Sequence, residues 1–495
     1  MNFYQPQLTY IPSTITNRAV MVYLLALVGC NLLFISHPLD ITWWVFGIVE
    51  VLTFFILSNT LTKKWSYIRR GDKWFAKSVF WTAFTLRLAY VLVTYWFYMV
   101  QCGDAWGYEN GDPTFYDDAA RIGAQWLIDG KWNLMEMLRQ NYNLGGVGRG
   151  LQFSDTGFPI YLSLIYFLVG NDPVFSILLM RLFNCILGAW TVVLMYRLSQ
   201  RHFGESTARI VAILCVLMPN LIYYCGTGLK EVLMVFLTVL FIERADNLMR
   251  RGKFMLLPTL GLVLIAFYMF MMRTVLAATL LLAFMTALVL SSQRVVKSGK
   301  RILLIGISLC FLVVMVLQNT SIMGDVQSLI EERGSGQKAN MEWRSQRENG
   351  NQFAKYAGAA VFAPMIFTIP FPTMVETPGQ EHLKMIHGGD FCKNIMSFFT
   401  IFALVLLLKN RQWKRHVLPL AIMCGYLVVL VFSKFAQSER FHQPIICFEL
   451  MFAALAISRF KEKKKYNTYY VLWLGVMFIA AIAWNWFKLK GRGMI

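Results

Sequence analysis

The chain is short of charge. Only 15% of its 495 residues are Asp, Glu, Lys or Arg, against 57% hydrophobic ones, and acid is the scarcer sign, 27 residues beside 47 Lys and Arg. Hydrophobic runs near bilayer length recur from end to end, which excludes a soluble globular fold. The runs are continuous, so the alternating segments of about ten residues that a membrane β-barrel needs are missing as well. The nine cysteines are scattered, with no CxxC pair and no metal-ligand spacing, and read as small apolar residues. There is no GxGxxG or Walker A signature and no large soluble domain to hold a nucleotide, so any activated substrate is expected to come through the membrane as a lipid. The net charge of +20 could suggest nucleic acid. Its basic residues, however, sit in short clusters between hydrophobic runs, as topology signals do, and no nucleic-acid partner is expected. No A-x-A-like cleavage site follows the first run, which reads as a retained helix.

What is present is an all-α, polytopic membrane pattern. Spans are expected near 20–38, 41–60, 78–101, 173–197, 208–225, 231–247, 254–271, 275–291, 302–318, 391–408, 416–433, 441–458 and 468–487, about thirteen in all. More than half of the Lys and Arg fall at alternate ends of these spans, in stretches such as "TKKWSYIRRGDKWFAK" and "SRFKEKKKY". That asymmetry puts those loops and the N-terminus inside and the C-terminus outside, although the tail "FKLKGRGMI" is basic. Two long loops, 102–156 and 319–390, then lie on the outer face. Residues 158–169 are hydrophobic but reach only about 18 Å as a helix, against a core of about 30 Å, and read as an interfacial or re-entrant helix. The proline-broken stretch 361–375 reads the same way.

The first outer loop holds "NGDPTFYDDAARIGAQWLIDGKW", with Asp112, Asp117 and Asp118 within seven positions. Pro113 marks a helix start, with Asp112 as its N-cap, and Phe115, Ala119, Ile122 and Trp126 recur at three or four, as on an amphipathic helix lying on the membrane. Asp112 could simply cap, and Asp117 and Asp118 could simply be solvated; the functional reading is a carboxylate acting as general base for a hydroxyl. Cations stand at the outer ends of spans: Arg273 in "YMFMMRTVL", Lys230 before Glu231 in "CGTGLKEVL", and Arg440 in "QSERFHQP". Each could snorkel or pair locally, Lys230 with Glu231 for example. Together on one face they suggest an anion site, for which a phosphate at the membrane surface is the natural ligand. His382 and His387, near Asp390, have no established metal spacing, and no metal site is assigned.

The stretch "GDPTFYDDAARIGAQWLIDGKW" resembles the first outer loop of the GT-C-fold glycosyltransferases of the protein O-mannosyltransferase and lipid A aminoarabinose transferase group. Asp112, Tyr116, Ala119 or Ala120, Gly130 and Trp132 take the places of that loop's motif. A Pro-led short helix, "GN", Arg181, "YRL", "HFG" and Pro219 follow in the same order, so the similarity covers about 78–290, with "RFHQP" a further point of contact. The resemblance implies a GT-C-like fold with short interfacial helices on the outer face. It divides the chain into 1–77, two additional N-terminal helices; 78–318, the GT-C-like module with catalytic loop 102–156; 319–390, a second outer loop with a re-entrant segment; and 391–495, C-terminal helices. It implies an inverting transferase in cell-envelope glycan, glycolipid or glycoprotein assembly that moves a sugar from a polyprenyl-phosphate-linked donor to a lipid, glycan or protein acceptor. The expected place is a bacterial inner membrane with the active site facing outward. Asp112 would be the catalytic base, and Arg273, Arg440 and Lys230 would hold the donor phosphate. Tyr116, Glu231 and Asp155 would bind substrate or support the site, and a divalent cation stays open as a cofactor. The chain departs from the relatives at "SDTGFP", where Asp155 stands in place of an expected cation. An O-antigen polymerase or ligase, or a lipid-linked-sugar flippase, is the alternative; a flippase should show an internal repeat, and none is visible.

Overall fold

The computed structural model describes residues 8–66, 71–108, 111–140, 151, 153–251, 254–291, 298–318, 363–432, 437–460 and 464–495. The helices in order are α1 Ser13–Leu33, α2 Ile41–Ser66, α3 Asp72–Cys102, α4 Asp112–Ile128, α5 Leu134–Gln140, α6 Phe153–Phe167, α7 Pro173–Phe203, α8 Glu205–Leu217 and α9 Pro219–Tyr223. They continue as α10 Glu231–Arg250, α11 Leu256–Phe270, α12 Thr274–Leu290, α13 Ser298–Gln318, α14 Glu381–Met385, α15 His387–Lys409, α16 Val417–Phe432, α17 Glu439–Arg459 and α18 Lys464–Lys490. Among the described residues there is no strand, only an isolated bridge between Pro38 and Val375. The chain is an all-α, polytopic membrane protein. Among the described residues eight helices are long and apolar enough to cross a bilayer: α1, α2, α3, α7, α13, α15, α17 and α18; the bent pair α8–α9 makes a ninth if it is one span. The expected thirteen is not reached by this measure. Helices α11, α12 and α16 have 15, 17 and 16 residues, about 23–26 Å of rise, and α10 carries Glu243, Arg244, Asp246 and Arg250 toward its C-terminal end.

The bundle is built around α17, whose apolar window is 94% buried, with α15, α8, α10 and α16 against it. Its small residues Ala453, Ala454, Ala456 and Ser458 let neighbours approach closely, as helix packing in lipid requires. At the periphery, α3 and α18 bury only 28% of theirs and leave a face for lipid.

Two buried charges in the bundle have structural explanations. The chain turns by 56° between α8 and α9. Pro219 has no N–H to give the Cys215 carbonyl four residues back, and Arg87 supplies the donor instead. Its Nη2 donates to Cys215 O at 3.1 Å and its Nη1 to Val216 O at 3.4 Å, a cation at the C-terminal end of α8. Gly188 makes this approach feasible, since a Cβ there would lie 2.7 Å from Arg87 Nε. Glu50, inside α2, accepts from the Gly389 N–H at 3.0 Å and so caps the first turn of α15.

The stretch expected to form a short helix at 361–375 does not do so. Residues 361–362 lie outside the described residues, and after a 3-10 turn at Ala363–Met365 the chain runs irregularly and mostly buried. Side chains of α15 and α18 satisfy its backbone: the carbonyls of Phe367, Thr368, Ile369, Pro370 and Pro372 accept from Ser397, Asn394, Lys393, Asn394 and Asn485. Prolines remove donors and block a helix, and non-helical backbone at this depth survives only where protein supplies its partners. The run at 158–169, in contrast, is helical as α6, which starts earlier and contains Pro159. Of the second expected loop, 319–390, residues 319–362 lie outside the described residues, and its last part forms α14 and the first turn of α15.

Candidate active site

Five separate elements bring the acidic loop and the cations together. Helix α4 begins at Asp112 itself, one residue earlier than a capping role for Asp112 requires. The cap position is Gly111, at φ 111°, a conformation that favours glycine, and it makes no side-chain cap bond. The expected N-cap role of Asp112 is therefore corrected, and its carboxylate is turned outward instead. Arg440, in the first turn of α17, donates from Nη1 to Asp112 Oδ2 at 2.9 Å and from Nε to Glu231 Oε1 at 3.3 Å. Arg273, in the turn between α11 and α12, lies 4.0 Å from the same Glu231 oxygen and stacks over the Phe441 ring at 4.4 Å. Lys230 turns away from its neighbour Glu231. Its Nζ donates to Asp155 Oδ1 at 3.3 Å and to the Met272 carbonyl at 2.9 Å, and it lies 5.7 Å from the centre of the Tyr116 ring. The local pairing of Lys230 with Glu231 is thus replaced by one with Asp155, the residue that stands where a cation was expected.

The electrostatics are graded from surface to interior. The Asp112 side chain is 59% exposed, that of Arg440 21%, and that of Glu231 0%. Glu231 Oε2 and Arg273 Nη1 are buried without hydrogen-bond partners. Burial, then the Arg273 charge, holds the Lys230 ammonium below its usual range, against the pull of Asp155 and Glu231. Burial, then the Asp155 carboxylate, raises the Tyr116 phenol. Three cations face three carboxylates. A divalent cation has no ready set of ligands here: the Arg440 guanidinium bridges Asp112 and Glu231, and among the described residues no group of three or more His, Cys, Asp or Glu converges.

Other expectations change. Asp117 is buried, not solvated; Tyr166 O–H donates to its Oδ1 at 2.7 Å and Arg121 Nε to its Oδ2 at 2.9 Å. It ties α4 to α6, and Tyr166 lies too far along the chain for local periodicity to show it. Asp118 is exposed, as the solvated reading has it. The buried stripe of α4 is Tyr116, Ala120, Gly123, Ala124 and Leu127, which faces α6, while Ile122 is 48% exposed. His387 is engaged on both ring nitrogens, by Tyr23 O–H at 2.9 Å and the Lys384 carbonyl at 2.7 Å, and Asp390 accepts from Asn220 at 3.2 Å. Sequence reasoning missed Phe441 beneath Arg273, although it adjoins Arg440. It also missed Glu439, which accepts from Tyr224 O–H at 3.2 Å.

No family model and no curated protein matches the chain. Among solved structures it is similar to the oligosaccharyltransferase of Archaeoglobus fulgidus, determined with an acceptor peptide tethered through a disulfide bond. Identity is 12% and the TM-score 0.42, with 85% of this chain and 55% of that one covered. The chain thus spans little more than half the length of that structure, and a likeness at this level assigns neither family nor activity.

Proposed function

We propose that this chain is a membrane-embedded inverting glycosyltransferase of the GT-C type, using a polyprenyl-phosphate-linked sugar. One observation carries the reading: an exposed carboxylate, Asp112, is paired at 2.9 Å with an arginine that is itself anchored on a fully buried carboxylate, Glu231. The three cations are already matched by three carboxylates. An arriving phosphate therefore competes with a carboxylate for a guanidinium, and Asp112, the most exposed of the three, yields most easily. Arg440 and Arg273 then hold the phosphate through forked hydrogen bonds. Asp112, released, accepts the proton of the acceptor hydroxyl as that oxygen attacks the anomeric carbon. The bond from that carbon to the phosphate oxygen breaks, its electron pair stays on the polyprenyl phosphate, and the configuration inverts. Charge grows on the leaving phosphate where Arg273, Arg440 and Lys230 stand. A charge-balanced cluster suits a phosphodiester, with one negative charge, better than a diphosphate, with two. The acceptor is a lipid, glycan or protein hydroxyl at the outer face. Mass spectrometry of lipids and glycans from cells with and without the intact gene tests the proposal. The expected result is loss of one sugar from one acceptor with accumulation of its polyprenyl-phosphate donor; unchanged profiles would remove the transferase reading.

A further inference from the structure

Beneath the carboxylate–guanidinium cluster lie polar atoms that the proposed reaction leaves unexplained. Gln443, one turn along α17 from Arg440, is 1% exposed, and neither end of its amide has a hydrogen-bond partner. Buried polar groups are nearly always satisfied, so a wholly unpaired amide calls for a reason. Glu231 Oε2 and Arg87 Nε are buried and unpartnered in the same way. All three residues line one cavity between α3, α7, α9, α10 and α17, bordered by Thr191 and Val235. Its interior leaves ≈ 20 Å³ for the centres of water-sized molecules, where one water needs roughly 10–15 Å³. The orphaned groups also match water in kind. Arg87 Nε and Gln443 Nε2 are donors, and Gln443 Oε1 and Glu231 Oε2 are acceptors, the two kinds of partner that water, with two donors and two acceptors, satisfies.

We infer that this cavity is a water site and that Gln443 is a positioning residue of the catalytic cluster, acting on Glu231 through the water it shares with Arg87. The role rests on the proposed transfer reaction for its kinetic consequence alone. Glu231 Oε1 faces both arginines, Oε2 is buried without a partner, and the residue lines the cavity. A water donating to Oε2 fixes the plane of the carboxylate and so keeps Oε1 aligned between Arg440 and Arg273. Without it the carboxylate turns, the guanidiniums spread over more positions, and the departing phosphate is met less well in the transition state. Donor binding changes little, because both cations remain.

The test uses the full chain in lipid nanodiscs, as wild type, Gln443→Leu, Val235→Ile (which adds one methyl at the cavity wall) and the double variant. Density from high-resolution cryo-electron microscopy, thermal unfolding and steady-state transfer from a polyprenyl-phosphate sugar are measured. The expected wild-type map shows density between Gln443 and Glu231 that both single variants lose. In each, kcat falls about 10- to 100-fold with the donor KM within about threefold, and the double variant is no slower than the slower single. Were the amide simply unpaired, Gln443→Leu would remove a costly buried group, raise the unfolding temperature and leave kcat alone. That outcome, or a wild-type map with no density in the cavity, overturns the inference. A wild type that transfers no sugar sinks the proposed function and the positioning role with it, while density and unfolding still decide the water site.

Discussion

Two carboxylates five residues apart on α4, Asp112 and Asp117, should separate into a catalyst and a strut. Asp112 is 59% exposed, and its ion pair with Arg440 is held at 2.9 Å near solvent, a setting in which such a pair contributes about 0–1 kcal/mol. It makes no cap bond, so Asp112→Asn removes little of the fold. For a chain of 495 residues the unfolding entropy is roughly 1 kcal/mol per kelvin, and the midpoint should move by about 1 °C or less. The same change removes the proton acceptor, and transfer should fall by about 10²–10⁴. Asp117 is the reverse case. It accepts from Tyr166 and Arg121 while buried, so Asp117→Asn disturbs two hydrogen bonds, one of them to a guanidinium. That should cost about 2–3 kcal/mol, or roughly 2–3 °C, while turnover per folded molecule stays within about threefold. The assay is sugar transfer by the purified full chain in nanodiscs, normalised to folded protein, beside a thermal scan of each variant. Normal transfer by Asp112→Asn refutes the base assignment. A dead but fully stable Asp117→Asn would show that the catalytic carboxylate had been taken for the structural one.

Further outcomes follow from the same geometry. Arg273→Ala and Arg440→Ala should each fold and lose about 30-fold to several thousand-fold in transfer, the equivalent of roughly 2–5 kcal/mol for a charged hydrogen bond to a desolvated phosphate, with Arg→Lys a partial rescue because the fork is lost; activity within a factor of two for both would reduce them to snorkelling residues. Arg87→Met should lower stability by about 2–4 kcal/mol in a denaturation series, since the Cys215 and Val216 carbonyls lose their charged donor, and an unchanged midpoint would end the capping explanation. The lowered Lys230 ammonium means that the unfolded chain binds more protons than the folded one below the usual lysine value of 10.5. Its contribution to stability should therefore rise with pH from the folded value up to about 10.5, a rise that Lys230→Met removes in melting curves taken across that window. With Cys102 and Cys310 replaced by Ser, a cysteine introduced at Thr114 should react with a membrane-impermeant reagent on intact cells; labelling only after the membrane is opened would invert the topology.

Sequence alone determined the class. Hydrophobic runs of bilayer length are local and continuous, and a backbone in lipid must satisfy its own hydrogen bonds, so the all-α membrane architecture follows without knowledge of neighbours. The charged members of the candidate site were legible for a related reason: Asp112, Lys230, Glu231, Arg273 and Arg440 stand out because a charge near membrane depth is costly and needs a purpose. What those charges bind was not legible. Arg440 reaches Asp112 across 328 positions of chain, and Lys230 passes over its neighbour Glu231 for Asp155. Helix periodicity could not separate Asp117 from Asp118, because the partner that buries the first, Tyr166, belongs to another helix. Nor could it show that Arg87 would satisfy the carbonyl left by Pro219, or that Gln443 and Glu231 would line one cavity. The tertiary structure decided these points, because which charge is paired, which is exposed and which is left facing a void depends on how separate helices meet, and no local stretch of chain encodes that meeting.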